Sequence, residues 1–274
     1  MEKHTDLSAH IEANMEHAIA EEITDDIALY RTLVSNVYML GKPSEQNWIL
    51  IDTGIAHYHE RIIAAAEKRF NTIPPKAIIL THAHFDHVGS AKKLAKHWDI
   101  SVYVHPKELP FVDGTSEYPP ADPTVGGGLL SLLSPVFPTD AVNLKHLAKT
   151  LSEDGTLPFL DGWKYFHTPG HTPGHISLFR ETDKILIAGD AVTTENPESS
   201  LAIFLPLIKL YGPPAYFTHD WEDAEKSVQT LAKLKPKLLL TGHGLPMKGE
   251  ELSEGFKKLT TEFYDIAIPK HKRN

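Results

Sequence analysis

Short apolar runs separated by turn-forming residues dominate the first part of the chain. Three runs begin at Ile27, Asn36 and Asn47 and are rich in β-branched and aromatic residues: IALYRTLV, NVYML and NWILIDTG. The segment GKPSEQ between the last two contains Gly, Pro and Ser, which favour a hairpin turn. The pattern therefore predicts three strands of a meander.

A helical pattern follows the meander. In residues 57–72 the apolar side chains, among them Ile62 and Phe70, share one helical face, and Pro74 and Pro75 end the helix. The pattern then predicts a buried strand in KAIILT, a helix in VGSAKKLAKHW and another strand in SVYVH. The loop after KAIILT lies at the carboxyl end of a strand, where α/β proteins commonly carry their chemistry.

The second half repeats this style after an irregular stretch. Residues 106–160 are rich in Pro and Gly and are interpreted as an insertion, with a short helix at Leu129–Leu133. Strands are predicted in WKYFHT, HISLFR, KILIAGD and KLLLTGHG, with helices at residues 222–234, which Asp220 caps, and 249–264. The two halves suggest two similar lobes that share one site, although no sequence repeat relates them.

The domain prediction follows from these patterns. Residues 1–22 are polar and predict an N-terminal extension, and residues 23–274 predict a single domain that includes the insertion at 106–160. A chain of 274 residues can build a sizeable core. With 41% hydrophobic and 23% charged residues, the composition is typical of soluble globular proteins.

Composition excludes several functional classes. The net charge of −9 argues against nucleic acid as a partner, because phosphate contacts require clusters of Lys and Arg. The chain has no cysteine, which excludes disulfides, thiolate nucleophiles and Cys-ligated zinc. No segment has the apolar core of a signal peptide or the roughly 20 apolar residues of a membrane span. We therefore expect a cytoplasmic protein with no membrane partner.

The stretch THAHFDHVG contains the densest group of potential metal ligands in the sequence. In extended backbone His82 and His84 point to the same side, so two imidazoles can face one cation such as zinc. Asp86 and His87 follow after a bend and can point toward a second metal ion. The alternative is a solvated polar loop, which the accumulation of three His and one Asp at a strand end disfavours.

Further candidate ligands stand at three later strand ends. His171 and His175 lie in TPGHTPGH, Asp190 follows an apolar strand, and His243 follows another. An isolated His at such a position is more often structural or solvated than a ligand. Together with the first motif, however, these residues form one pattern.

The pattern resembles the metallo-β-lactamase superfamily. The family signature His-x-His-x-Asp-His appears here as HAHFDH, and the later His in TPGHTPGH, Asp in AGDA and His in TGHG occur in the family's order. The segment IDTG is also similar to an early family motif, and the resemblance extends from about residue 25 to 265. It implies an α+β fold, a four-layer αββα sandwich in which helices flank two mixed sheets and the metal site lies at one edge.

The resemblance also implies a set of site residues. One metal ion would be bound by His82, His84 and His171, and the second by Asp86, His87 and His243, with Asp190 as the bridge. Asp86 and Asp190 would thereby carry the catalytic chemistry. Asp52 resembles the family's acidic residue that orients a ligand imidazole, and a plain turn residue at the strand end is an equal alternative. His175 matches no ligand position and is interpreted as a residue that orients a ligand or supports the structure.

The expected chemistry is hydrolytic. Two divalent ions, zinc first and Mn, Fe or Co as alternatives, would activate a water whose hydroxide attacks the carbonyl of a lactone or ester. Alternatives are a glyoxalase-II-like thioesterase, an iron-dependent persulfide dioxygenase and a non-catalytic metal-stabilised binding protein. The small-molecule substrate itself is not identified by the motif.

Two apolar blocks, at residues 126–138 and 201–217, are the substrate clues. They could accept an apolar group of the substrate, or they could form core or the contact of a homodimer. For His219 a position at the start of a helix is the favoured alternative. The candidate substrate residues are Leu129, Leu132, Phe204, Tyr211, Tyr216 and His219.

Overall fold

The structure, a computed structural model, describes residues 17–125, 134, 142–196 and 209–273. The chain forms two compact units. Unit 1 comprises residues 1–117, 140–152 and 157–161, and unit 2 comprises residues 118–139, 153–156 and 162–274. The predicted extension at 1–22 lies largely outside the described residues, and the predicted single domain with its insertion stays a prediction.

Unit 1 is built on a seven-stranded mixed sheet. Its described strands lie in the order in which they occur along the chain: β1 (Glu21–Thr24), β2 (Ile27–Arg31), β3 (Asn36–Leu40), β4 (Ile49–Ile51), β5 (Ile78–Ile79), β6 (Val102–Val104) and β7 (Ala148–Thr150). Strands β1 to β4 pair antiparallel, which confirms the predicted meander, and β4 to β7 pair parallel. Parallel neighbours need crossover connections, and helices supply them.

The helices described in unit 1 are α1 (His59–Phe70), α2 (Phe85–Val88), α3 (Ala91–Trp98) and α4 (Leu109–Asp113). Helix α1 falls within the predicted range of 57–72, and its buried face includes Ile62 and Phe70. Trp48 joins the sheet to these helices, because its ring stacks on Phe70 at 4.3 Å and meets the edge of Trp98 at 5.8 Å. This packing fixes the parallel strands whose ends carry the HAHFDH motif.

Unit 2 is built on a five-stranded mixed sheet with the order β12-β11-β10-β9-β8. Its described strands are β8 (Trp163–His167), β9 (Ile176–Arg180), β10 (Ile185–Ile187), β11 (Leu238–Leu240) and β12 (Met247–Lys248). Strands β8, β9 and β10 form an antiparallel meander, and β10 pairs parallel with β11. Each unit thus has an antiparallel meander followed along the chain by parallel pairing, and in unit 2 the last pair, β11 and β12, is antiparallel again.

The helices described in unit 2 are α5 (Trp221–Lys233), α6 (Gly249–Thr261) and α7 (Phe263–Ile266). Asp220 caps α5 as predicted, since its carboxylate accepts a hydrogen bond of 2.9 Å from the N–H of Asp223. Buried Val228 and Leu231 of α5 and Phe256 of α6 pack into one apolar cluster with Leu186 and Leu239 of the sheet. The predicted helix at Leu129–Leu133 lies outside the described residues.

In the part of the chain that the structure describes, no helix combines the length and apolar character needed to cross a membrane.

Candidate metal centre

The HAHFDH motif begins just after β5 and turns into helix α2. The backbone of His84 is extended, with φ −63° and ψ 153°, and the next residue starts the helix. The predicted bend between His84 and Asp86 is therefore confirmed. Asp86 and His87 therefore lie in helix α2, whereas His82 and His84 lie in the segment between β5 and the helix. His82, His84, Asp86 and His87 are all buried, with at most 7% of each residue exposed.

The three imidazoles of the motif lie close together. The ring of His82 is 4.8 Å from that of His84 and 4.2 Å from that of His87, measured between centroids. The first pair is nearly perpendicular, at 88°. Buried polar rings require partners, and imidazole nitrogens are ligands that borderline divalent metals prefer.

Asp52 organises two of these rings. Its Oδ2 accepts a hydrogen bond of 2.8 Å from His87 Nδ1 and another of 2.8 Å from the hydroxyl of Thr81. Because the Thr81 hydroxyl donates to Asp52, its oxygen accepts from His82 Nδ1 at 3.1 Å. Both rings are thereby held with Nδ1 protonated, which leaves the lone pair of each ring on Nε2, the nitrogen that a metal ion could bind.

The position of Asp52 follows from the end of strand β4. Its φ of 59° turns the backbone out of the sheet, and Asp is one of the residue types that tolerate this left-handed conformation. Its Oδ1 also accepts the backbone N–H of Thr81 at 2.7 Å. Asp52 thus makes both the strand-end turn and the contact with an imidazole that the sequence left as alternatives.

The backbone of the motif is held at its helical end as well. The carbonyl of His87 accepts hydrogen bonds from the N–H of Thr53 at 2.8 Å and from its hydroxyl at 2.7 Å. Ser35 donates its hydroxyl to the carbonyl of Asp86. These contacts fix helix α2 against the ends of β2, β3 and β4.

Unit 2 brings together His171, Asp190 and His243, which are far apart in sequence. Asp190 Oδ2 lies 3.0 Å from His243 Nε2 and 3.5 Å from His171 Nε2. Each of the three residues is at most 6% exposed. Asp190 follows β10 and His243 follows β11, and these strands are parallel neighbours whose carboxyl ends meet at one edge of the sheet. One carboxylate oxygen therefore faces two imidazoles.

The ring of His171 is oriented by a relay similar to that of His82. Thr218 donates its hydroxyl to the carbonyl of Pro214 at 2.7 Å, so its oxygen accepts from His171 Nδ1 at 3.1 Å. Nε2 of His171 is then the nitrogen that faces Asp190. Sequence reasoning missed both threonines. Thr81 adjoins His82 in sequence, but Thr218 lies 47 positions from His171 and has no local signal.

His175 contacts the backbone of Asp190. The N–H of Asp190 donates to His175 Nε2 at 2.9 Å, so Nδ1 of the same ring carries the proton that Thr168 Oγ1 accepts at 2.9 Å. His175 is fully buried. With both nitrogens engaged by protein atoms, its side chain supports the loop that carries Asp190.

The donor set of each unit fits a metal ion. The seven candidate ligands are all buried His or Asp residues, four of them in unit 1 and three in unit 2. Imidazole and carboxylate donors suit zinc, manganese, iron and cobalt. Unit 1 thus contains a buried His/Asp cluster, formed by His82, His84, Asp86 and His87, and unit 2 contains another, formed by His171, Asp190 and His243.

The candidate substrate residues are placed less completely. Leu129, Leu132 and Phe204 lie outside the described residues. Tyr216 is buried and packs against Phe217, with 5.0 Å between ring centroids, and Tyr211 is half-buried.

The structure describes residues 209–217 of the second apolar block, and this part contributes to the core of unit 2. Leu210 of this block belongs to the apolar cluster around α5 and α6. His219 is exposed and directly precedes the capping residue Asp220.

Comparison with known proteins identifies the family. The family model described as "Metallo-beta-lactamase superfamily" matches residues 30–243, which is most of the chain. The chain belongs to the metallo-β-lactamase superfamily. The predicted family and its α+β sandwich fold with two mixed sheets are both confirmed.

The chain is similar to three proteins of known sequence or structure. "Probable metallo-hydrolase YflN" of Bacillus subtilis is 45% identical over 85% of this chain and 89% of its own length. The crystal structure of TTHA1623 in a di-iron-bound form is 25% identical, with a TM-score of 0.55, and the match covers 80% of this chain and 91% of that one. The crystal structure of the B3 metallo-β-lactamase BLEG-1 is 23% identical, with a TM-score of 0.57 over 78% and 88% of the two chains, and supports the fold.

Proposed function

We propose that this superfamily member is a dinuclear metal-dependent hydrolase that opens a lactone or cleaves an ester carrying an apolar group. The observation that carries the proposal is the complete set of seven buried His and Asp ligands at strand ends. The similarity to a protein named probable metallo-hydrolase supports hydrolysis as the reaction type. The di-iron form of TTHA1623 supports two ions in the site.

The proposed ligand assignment follows the superfamily pattern. His82, His84 and His171 would hold one ion. The second ion would be held by Asp86, His87 and His243, and Asp190 would bridge the two. In support, Asp190 Oδ2 faces the Nε2 atoms of both His171 and His243. We propose zinc as the native metal, with manganese, iron or cobalt compatible with the same donors.

Two bound divalent ions would supply Lewis-acid activation of water and polarise the substrate carbonyl. The chain's own residues prepare the site for them. Asp52 and Thr81 hold His82 and His87 with Nδ1 protonated, and Thr218 does the same for His171. His175 fixes the backbone of Asp190. Orientation of ligands by such partners lowers the reorganisation needed during catalysis.

The ester or lactone assignment draws on the apolar character of the second block around Tyr211 and Tyr216. A thioester has a similar electrophilic carbonyl, so a glyoxalase-II-like activity is the nearest alternative. A persulfide dioxygenase would differ by requiring iron and consuming oxygen. A non-catalytic binding protein would hold its metals without turnover.

A substrate panel on zinc-loaded protein tests the proposal. We expect turnover of lactones that carry alkyl chains or of aryl esters. The turnover rate with these substrates should exceed the rate with thioesters and phosphotriesters. Asp190→Ala should lower turnover by roughly 100-fold or more, because it removes a ligand rather than only its support. Asp161→Ala changes an exposed carboxylate and should leave turnover unchanged.

Three outcomes would contradict the proposal. Inactivity of fully metal-loaded protein towards the whole panel would favour a binding protein, and preference for thioesters would favour the glyoxalase-II-like alternative. Oxygen uptake with a persulfide by iron-loaded protein would favour the dioxygenase. Circular dichroism of Asp190→Ala must match that of the parent protein, so that lost turnover can be assigned to the site.

A further inference from the structure

A buried carboxylate outside the predicted ligand set contacts the metal-binding loop. Glu108 is 1% exposed, and its Oε1 accepts a hydrogen bond of 3.0 Å from the backbone N–H of Ala83. Ala83 lies between His82 and His84, so the contact is made at the middle of the histidine pair. Glu108 lies in the insertion predicted at residues 106–160, and the sequence pattern predicts no role for it.

The sheet topology explains why Glu108 reaches this loop. Strands β5 and β6 are parallel neighbours, with Ile79 opposite Tyr103, so their carboxyl ends lie at the same edge. The loop with His82 leaves β5, and the chain leaving β6 turns at His105 into a short 3₁₀ helix, Pro106–Glu108. Glu108 is therefore delivered beside the loop by the neighbouring strand.

The segment that carries Glu108 is well supported. The N–H of Glu108 donates to the carbonyl of His105 at 2.8 Å, and the N–H of Lys107 donates to His105 Nδ1 at 3.2 Å. Helix α4 follows at once and is anchored by Val112, which is fully buried. A side chain on a fixed segment can hold a backbone group with little loss of conformational entropy.

The hydrogen bond holds the peptide between His82 and Ala83, whose orientation affects where the side chains of His82 and His84 point. Side chains two apart in extended backbone point to the same side only while the intervening peptide keeps its orientation. A hydrogen bond from this peptide to a carboxylate is charge-assisted and therefore stronger than one to a neutral acceptor. Burial of a carboxylate is costly, so Glu108 persists there only with such contacts.

We propose that Glu108 is a positioning residue of the metal centre, which holds the His82–Ala83–His84 backbone so that both imidazoles face one divalent cation. The inference deepens the proposed function and rests on its metal centre. Glu108 itself is not assigned as a ligand. Its effect is exerted through Ala83, so it is measurable as metal affinity without any substrate.

Competition between metal-free protein and a chromogenic zinc chelator tests the proposal. Glu108→Ala should weaken zinc binding by about 10- to 100-fold, the range typical of lost partners of ligands. Glu108→Gln keeps a carbonyl oxygen for the Ala83 N–H and should restore affinity to within about threefold of the parent, because a neutral acceptor retains much of such a bond. The visible spectrum of the cobalt-loaded protein should change for Glu108→Ala but not for Glu108→Gln.

Val112→Ala is the matched control, since it removes buried volume from the same segment and leaves the Glu108 carboxylate in place. It should lower the melting temperature yet leave zinc affinity unchanged. If Glu108→Ala fails to fold, Glu108→Met, which keeps the side-chain length, replaces it with the same expected loss of affinity.

Each contrary result has a distinct meaning. If the parent protein takes up no divalent ion, the proposed function fails together with its metal centre. If the parent binds zinc and Glu108→Ala binds equally well, only the role of Glu108 is refuted. A glutamine variant as weak as alanine, or a Val112→Ala variant as weak as Glu108→Ala, would also overturn it.

Discussion

At the scale of single residues, threonine hydroxyls set the tautomers of two histidines. Thr81 passes a hydrogen bond from His82 Nδ1 to Asp52, and Thr218 passes one from His171 Nδ1 to the carbonyl of Pro214. In both relays the hydroxyl donates onward and accepts from the ring. Each threonine therefore favours the neutral imidazole whose Nε2 can bind a metal ion.

Thr218→Val tests this role. Valine has the shape of threonine without the hydroxyl, so His171 loses the acceptor for its Nδ1 proton and its ring can rotate. We expect zinc affinity to fall by about 10-fold, as measured by chelator competition. Thr230→Val in α5 removes a hydroxyl that donates to the carbonyl of Lys226 and serves as the control. Equal affinity of the two variants would contradict the relay.

The sequence could predict the dense residues of the site but not its supports. His82, His84, Asp86 and His87 lie within six consecutive positions, and that density is itself a signal. The roles of Thr218 and Glu108 depend on contacts between residues 47 and 25 positions apart. Such contacts arise from strand order, which one sequence does not determine.

At the scale of elements, the end of helix α5 carries a backbone conformation suited to glycine. Lys235 follows the helix with φ +51°, and its N–H donates to the carbonyl of Ala232. A left-handed residue at this place is a common helix stop, but a β-carbon makes it unfavourable by roughly 1 kcal/mol. The helix therefore ends at a lysine whose backbone adopts a conformation that lysine disfavours.

Lys235→Gly should therefore stabilise the protein, by up to about 1 kcal/mol, because glycine adopts positive φ without strain. The same substitution at Lys226, inside α5, should destabilise it by about 1 kcal/mol or more. Urea unfolding followed by circular dichroism measures both. A loss of stability at Lys235 equal to that at Lys226 would show that backbone strain is not what distinguishes the two positions.

Elements with strong periodicity were predictable, whereas several edge strands were not. The amphipathic helices α1 and α5 follow from apolar spacing, and β3 was predicted with its observed bounds. Strands β1, β7 and β12 lie at sheet edges and were missed. β1 and β7 bury none of their side chains and β12 has two residues, so little in their sequences marks them. Edge strands are commonly short and polar, and their pairing partner defines them.

At the scale of the whole molecule, bound metal should contribute to stability. A ligand that binds only the folded state at 1,000 times its Kd adds about 4 kcal/mol. For a chain of this size, each kcal/mol raises the melting temperature by about 2–4 °C. Chelator-treated protein should therefore melt on the order of 10 °C lower than protein reloaded with zinc, with two ions bound per chain.

Differential scanning calorimetry with parallel metal analysis measures this effect. Addition of sodium at the same ionic strength controls for charge screening. Identical melting curves for stripped and reloaded protein would argue against metal bound to the native state. A stoichiometry of one ion would argue against the dinuclear assignment while leaving a metal-dependent protein.

The superfamily and its fold were predictable at this scale because a six-residue motif and three later strand ends occur in a characteristic order. The substrate was not, since the apolar blocks admit both a substrate wall and core as interpretations. Part of the second block, around Leu210, belongs to the core of unit 2. Chemical character alone does not separate these roles, because both require the same apolar side chains.

The shared carboxylate of Asp52 has a genetic consequence. Oδ2 of this residue serves His87 directly and His82 through Thr81. Substitutions at these positions cannot act independently, since the loss of Asp52 already disturbs both rings. Once Asp52 is replaced, a further substitution at Thr81 should cause little additional loss of metal affinity. A substitution at Asp52 that alters the orientation of one histidine also alters that of the other. This part of the sequence is therefore constrained to vary as a group, through epistasis rather than residue by residue.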